Sequence, residues 1–200
     1  MKRRIRLFLQ SMMMLLISVS LMLTNASYSG AEAAAAAGPG HPDPGAKNGF
    51  DPQGRMVAKF GSPVIDGNVD KVWSKAQPVS PQHVSGEVEA SAVLRALWDD
   101  QALYVLAEVK DPHLSVASVN PYMQDSLELF LDENHDKTSE YGVDDVHFRV
   151  NYENNQSVDN GDVQRFYTAA KRVDGGYVIE ARIALKSKPE NNKVVGFELQ

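Results

Sequence analysis

The chain has no cysteine among its 200 residues. This excludes disulfides, thiolate catalysis, zinc–thiolate sites and lipid attachment at an N-terminal cysteine. It also lacks a His-Glu-x-x-His pair and a Gly-x-Ser-x-Gly elbow, the signatures of zinc peptidases and α/β-hydrolases. Its five histidines, His41, His83, His113, His135 and His147, are scattered and do not form a metal-binding cluster. Positive charge is scarce, with 20 Lys and Arg against 26 Asp and Glu. After residue 55 no amphipathic helix pattern lasts longer than two turns.

One long apolar run is present, from Leu7 to Leu23, interrupted by Gln10, Ser11, Ser18 and Ser20. Lys2, Arg3, Arg4 and Arg6 precede it, and small residues follow, with Ala31-Glu32-Ala33 as a cleavage site. This order predicts a secretory signal peptide over residues 1–33 and a secreted, extracellular protein. A retained membrane anchor is the alternative, but the run is at the short end for a span. Removing residues 1–33 takes away four positive charges and one negative, leaving 16 against 25 and a net charge of −9. That balance excludes nucleic acid as a partner, because a basic face would have to supply the affinity. It also argues against an anionic membrane surface once the signal is cleaved. An exported chain without disulfides draws its stability from its core or from bound metal.

Residues 34–55 are rich in Ala, Gly and Pro, including Gly38-Pro39-Gly40 and Pro42-Asp43-Pro44-Gly45. Such a segment buries too little apolar surface to offset its ordering entropy, so it reads as a flexible linker. Residues 56–200 are long enough for one good core. Their texture is short apolar runs cut by turn residues. Strands are expected at Met56 to Phe60, Ser91 to Trp98, Leu103 to Val109, Leu127 to Leu131, Val146 to Tyr152, Arg165 to Val173, Tyr177 to Leu185 and Val194 to Leu199. Pro63 to Gly67 reads as an extended piece ending in a turn. Asp70 caps one helical turn through Trp73. Asp99-Asp100 and Asp174-Gly175-Gly176 close hairpins. The pattern predicts an all-β fold, an antiparallel sandwich. The chain stops at Gln200 inside an alternating pattern, which predicts a sandwich missing its C-terminal strands.

Three kinds of chemistry can be weighed on these elements. A glycosidase needs two carboxyl groups flanking one bond. Glu128 and Asp132 share a strand face, but four residues of strand rise separate them by about 13 Å, beyond the usual range. For metal, Asp132, Asn134 and Asp136 have the D-x-N-x-D spacing that offers oxygen ligands to calcium. The EF-hand continuation fails, since Lys137 and Val143 stand where glycine and the bidentate glutamate belong, so a calcium site here needs another geometry, aided by Asp144 or Asp145. A polar hairpin loop is the plain alternative. For sugars, Tyr122 precedes a strand, and Arg149 and Asn151 share the face opposite Phe148, Val150 and Tyr152. Glu128, flanked by Leu127 and Leu129, completes a set that can bond a polyhydroxyl ligand. An ordinary solvated face with an Arg–Glu pair is the competing reading, and such a pair contributes little.

The run Gly61-Ser62-Pro63-Val64-Ile65-Asp66-Gly67 followed by Asp70-Lys71-Val72-Trp73 resembles the opening of family 9 carbohydrate-binding modules. The resemblance continues through Leu97-Trp98-Asp99-Asp100, Val109-Lys110-Asp111-Pro112, Asn120-Pro121, Gln124-Asp125-Ser126-Leu127-Glu128 and Leu131-Asp132-Glu133-Asn134. It closes at Asp145, Phe148-Arg149-Val150-Asn151-Tyr152 and Gly175-Gly176-Tyr177-Val178-Ile179-Glu180-Ala181. It implies a jelly-roll-like β-sandwich with structural calcium, and non-catalytic binding of cellulose- or xylan-derived sugars at chain ends. It also implies a covalently linked catalytic domain, commonly a family 10 xylanase. The alternative is therefore the N-terminal part of an endo-1,4-beta-xylanase whose catalytic domain lies beyond residue 200. The family clamps a terminal sugar between two tryptophans. The first falls on Tyr122, a change that keeps a smaller stacking face, and the second falls past Gln200. The family's polar contacts carry over to Glu128, Arg149 and Asn151. Trp73 and Trp98 are expected in the core. Related sandwiches bind haem through Met and His; here the only methionines after residue 55 are Met56 and Met123, with His113 and His147 as candidate partners.

Overall fold

The computed structural model describes residues 19–24, 50–81 and 90–200. Most of the predicted leader and linker, residues 1–18 and 25–49, lies outside the described residues. The described chain forms β1 (Val19–Thr24), β2 (Met56–Phe60), β3 (Ser91–Trp98), β4 (Ala102–Lys110), β5 (Ser126–Asp132), β6 (Asp145–Asn151), β7 (Gln156–Asp159), β8 (Phe166–Val173), β9 (Gly176–Ala184) and β10 (Val194–Leu199). Three single 3-10 turns, Lys71–Lys75, Pro121–Met123 and Val163–Arg165, are its only helical pieces.

The hydrogen-bonded order is β7-β6-β5-β10-β1-β2-β3-β4-β9-β8. β1 pairs antiparallel with β10 and parallel with β2, so it joins a four-stranded half to a five-stranded half. β2 and β3 are also parallel, and the other pairs are antiparallel. The two halves fold over each other. Phe148 on β6 stacks on Phe166 on β8, with ring centroids 4.6 Å apart. Leu127, Leu129, Leu131, Val146 and Val150 from one half share a core with Trp98, Leu103, Val105, Ile179 and Ile183 from the other. This is the expected β-sandwich.

The sheets differ on their outer faces. β4 is buried on both sides from Ala102 to Ala107, as its uninterrupted apolar run requires. Leu103, Val105 and Ala107 face the main core. Ala102, Tyr104 and Leu106 face a second core that includes Ile65, Trp73, Ala76 and Val178. The segment leading into the Lys71–Lys75 turn covers that outer face. Asp70 caps the turn by accepting from the Val72 amide at 2.8 Å. Asp99 holds the β3–β4 turn through the Gln101 and Ala102 amides, and binds Ser62 and Tyr104 by its other oxygen.

The folded domain begins before Met56. Asp51 accepts from the Gln53 and Arg55 amides and from the Arg55 side chain, and Phe50 packs against the core. The last six residues of the segment read as a linker thus belong to the domain. The other outer face, on β5, β6 and β7, carries the polar side chains.

Candidate functional site

Register places these side chains in rows. Glu128 pairs with Arg149, which pairs with Ser157 on β7. Phe130 pairs with His147, which pairs with Asp159. Ser126 pairs with Asn151 above them, and Asp132 pairs with Asp145 below. Strand alternation sends Leu127, Leu129, Phe148 and Val150 inward and leaves these residues on one outer face.

Arg149 is the hub of the face. Its terminal nitrogens donate to Asp159 Oδ2 at 2.8 Å and to Ser157 Oγ at 3.3 Å. Its Nε lies 3.0 Å from Glu128 Oε1 in an ion pair, at an angle that gives no directed hydrogen bond. The side chains of Arg149 and Glu128 are only 11% and 13% exposed, so the pair is not the solvated surface bridge of the plain alternative. Burial alone would raise the Glu128 carboxyl, but the His147 hydrogen bond and the Arg149 charge outweigh it and hold it below the usual carboxylate range. Burial lowers the Arg149 guanidinium, and the Asp159 hydrogen bond and the Glu128 charge reverse that and raise it. Both groups are therefore charged at neutral pH.

Beside this row lies a cleft of about 240 Å³ lined by Pro121, Gln124, Ser126, Arg149, Asn151, Asn155, Gln156 and Ser157. Tyr122 stands next to it on the Pro121–Met123 turn, 63% exposed. Asn151 lines the wall, but its side chain is already engaged. Its oxygen accepts from the Glu153 and Asn155 amides, and its nitrogen donates to Gln124 Oε1 at 2.7 Å. Its direct role is to shape the turn after β6 and to aim Gln124. Tyr141 adds a half-exposed phenol near the same face. Burial and the neighbouring Asp159 and Asp145 carboxylates push its pKa up.

The acidic end of the face gathers differently from the linear spacing. Carboxylate oxygens of Asp132, Asp144 and Asp145 lie within 4.8 Å of one another. Asn134 and Asp136 flank this group. Asn134 donates to Asp136 and Asp144, and its oxygen accepts from the Asp136 amide. The loop turns through left-handed His135 and Lys137, at φ 59° and 57°, and wraps its amides onto Asp132. Burial, followed by repulsion from Asp132, Asp144 and Asp136, raises the Asp145 carboxyl despite the Gly142 hydrogen bond. Three hard oxygen donors of like charge fit a calcium-type cation better than a soft metal.

The family model for the carbohydrate family 9 binding domain matches residues 65–200. The chain belongs to the family 9 carbohydrate-binding domains. A solved family 9 module from Caldicellulosiruptor kristjanssonii, in complex with cellotriose, superposes with a TM-score of 0.70 at 50% identity, over 71% of this chain and 73% of that one. The same description applies to a complex with glucose, over 74% of its chain. An endo-1,4-beta-xylanase A of Thermotoga neapolitana is 48% identical over 155 residues, 74% of this chain. An endo-1,4-beta-xylanase A of Thermoanaerobacterium saccharolyticum is 43% identical over 147 residues. The chain spans only 15% and 13% of the length of these two relatives.

Within this family 9 domain the structure brings Glu128, Arg149 and Asn151 onto one face and sets Tyr122 beside them. Sequence reading missed His147 as a member of the row, Asp159 as the second anion on Arg149, and Gln124 as the partner of Asn151. The period-2 alternation carried the signal for His147, which stands two residues before Arg149. Asp159 had no such signal, because β7 is too short and polar to read as a strand.

Proposed function

We propose that this domain is a carbohydrate-binding module for cellulose- or xylan-derived sugars, engaging them at chain ends. The observation that carries the reading is the largely buried Glu128–Arg149–His147 cluster beside a cleft with an exposed tyrosine. Sugars present C–H faces that stack on aromatic rings and hydroxyls that meet charged donors and acceptors. In this reading Tyr122 stacks on a terminal ring, Arg149 donates to a ring hydroxyl, and Glu128 accepts from another. Asn151 acts through Gln124 and the turn it holds. The solved relative with cellotriose supports the ligand class.

The domain itself is read as non-catalytic. Glu128 is tied to Arg149 and His147, and its carboxyl is held low, the wrong state for a general acid. The xylanase relatives, which are far longer than this chain, support a covalently linked glycoside hydrolase domain in the whole protein. The apolar run behind four basic residues supports secretion. Asp132, Asp144 and Asp145 are the residues that would hold calcium, which would neutralise their mutual repulsion and tie the β5–β6 connection together.

Calorimetric titration with cellotriose and xylotriose tests the reading. Arg149→Ala should weaken binding at least about tenfold, the worth of one charged hydrogen bond. Unchanged affinity in a folded Arg149→Ala protein would sink it.

A further inference from the structure

His147 occupies the centre of the polar face. Its side chain is 8% exposed, and its ring stacks on Phe130 with centroids 3.7 Å apart and planes 22° from parallel. An Arg149 terminal nitrogen lies 3.1 Å from His147 Nδ1. A guanidinium carries only donors, so Nδ1 accepts. The proton of the neutral ring then sits on Nε2, which lies 2.6 Å from Glu128 Oε2 and donates to it. Asp159 lies farther off, 3.5 Å from Nδ1, and accepts from Arg149 at 2.8 Å. Glu128 is thus held on both oxygens, one by Arg149 and the other by a ring whose plane Phe130 fixes.

We propose that His147 is a positioning residue of the sugar site, its Nε2–H fixing the Glu128 carboxylate in the orientation that accepts a sugar hydroxyl. The proposal rests on the reading of Glu128 as a sugar contact. A free glutamate would lose rotamer freedom when it meets a ligand, and that loss weakens binding. His147 imposes the ordering before the sugar arrives. It also leaves the second lone pairs of both carboxylate oxygens for other donors.

Cellotriose titrations of the wild type, His147→Leu, His147→Gln and Glu128→Ala test this. His147→Leu should weaken binding about tenfold, because the hydrogen bond it removes is charge-assisted. His147→Gln should recover to within about threefold of wild type, since its amide nitrogen reaches the place of Nε2. A merely structural histidine would give equal losses in both variants, and that result would overturn the proposal. So would wild-type affinity in His147→Leu alongside loss in Glu128→Ala. Wild-type affinity in Glu128→Ala would overturn the reading of Glu128 itself. A measurement independent of variant folding is the imidazole nitrogen NMR spectrum of the wild-type protein at neutral pH. An Nε2–H tautomer supports the proposal, and an Nδ1–H tautomer refutes it.

Discussion

Glu180→Ala should be among the most damaging single changes in this domain. Glu180 has no exposed surface and lies on the covered outer face of β9. Its Oε1 accepts from the Trp73 indole at 2.7 Å. Its Oε2 accepts from the Gly67 amide at 2.8 Å and the Asp66 amide at 3.1 Å. Gly67 has φ +81°, a conformation L side chains rarely adopt, and the two successive amides leading into that bend converge on one oxygen. Alanine would leave three donors without an acceptor, two of them buried. At about 1–3 kcal/mol for each buried orphan, the loss is about 2–6 kcal/mol, a large part of a typical domain's stability. For a domain of this size that lowers Tm by about 4–24 °C.

Glu180→Gln sharpens the test. It keeps the shape, but its amide NH2 must face either the indole or the two backbone amides, donor against donor. We expect a cost of about 2 kcal/mol or more. Burial, the largest influence, raises the Glu180 carboxyl, while the Trp73, Asp66 and Gly67 hydrogen bonds lower it; the net shift is upward. A raised acid contributes stability that is fully present below its unfolded pKa and is lost as pH rises through the folded value. Wild type should therefore lose an increment of stability above about pH 4.3 that Glu180→Gln does not lose. Urea unfolding followed by fluorescence and circular dichroism, with an unchanged m-value, reads all of this. A loss below about 1 kcal/mol in Glu180→Ala would refute the claim that this network holds the Pro63–Trp73 cover on the sheet.

Calcium at a hundredfold excess over its Kd should stabilise the domain by about 2.7 kcal/mol, a rise of about 5–10 °C in Tm. Chelation should reverse that rise and Asp145→Asn should abolish it; an identical rise in the variant would exclude this cluster. Gly196→Ala would set a Cβ 2.8 Å from Asp132 Cβ and 3.1 Å from its Oδ2, displacing the carboxylate. Its calcium midpoint should move to higher concentration, and an unmoved midpoint would contradict a ligand role for Asp132. Tyr122→Ala should weaken cellotriose binding about tenfold with Tm unchanged, because the ring is exposed and stacking on one base or sugar-sized face has that order of worth. Equal affinity would remove Tyr122 from the site. The Glu128 carboxyl is held low, so its contribution is present above its unfolded pKa of about 4.3 and is lost only as pH falls through the lower folded value. Binding should survive at pH 4.5, and loss already near pH 6 would point to another titrating group.

The strands were legible where one face is apolar. β2, β3 and β10 carry the bounds that alternation predicted, and β4, β5, β6, β8 and β9 differ by a residue at one or both ends. β7 was not legible. Gln156–Asp159 has one partly buried apolar residue, Val158, and exists as a strand because β6 offers it an edge. Asp159 was lost with it, and with Asp159 the second anion that orients Arg149. The acidic group was legible in part for a related reason. Linear spacing within Asp132–Asp136 points to Asp132, Asn134 and Asp136, and pairing of β5 with β6 adds Asp145 by setting it against Asp132, while Asn134 and Asp136 also hydrogen-bond within the loop.

The candidate site itself was half legible, and the missing half is what separates it from the plain reading of a solvated face. Alternation shows that Glu128, Arg149 and Asn151 face away from Leu127, Leu129 and Phe148. It does not show whether an outer face is covered. β9 makes the contrast: Glu180 also alternates with apolar neighbours, yet it is fully buried, because the Pro63–Trp73 segment packs over it. Among the described residues no such cover packs over Glu128, which lies against Arg149 and a His147 ring stacked on Phe130. An ionic row buried by its own members retains charge that a surface pair would lose to solvent screening. Such a row, open to a cleft on one side, is more costly than a solvated face and more useful for selecting hydroxyls. That cost is the physical reason to read Glu128, Arg149 and His147 as a binding surface and not as decoration of an outer sheet.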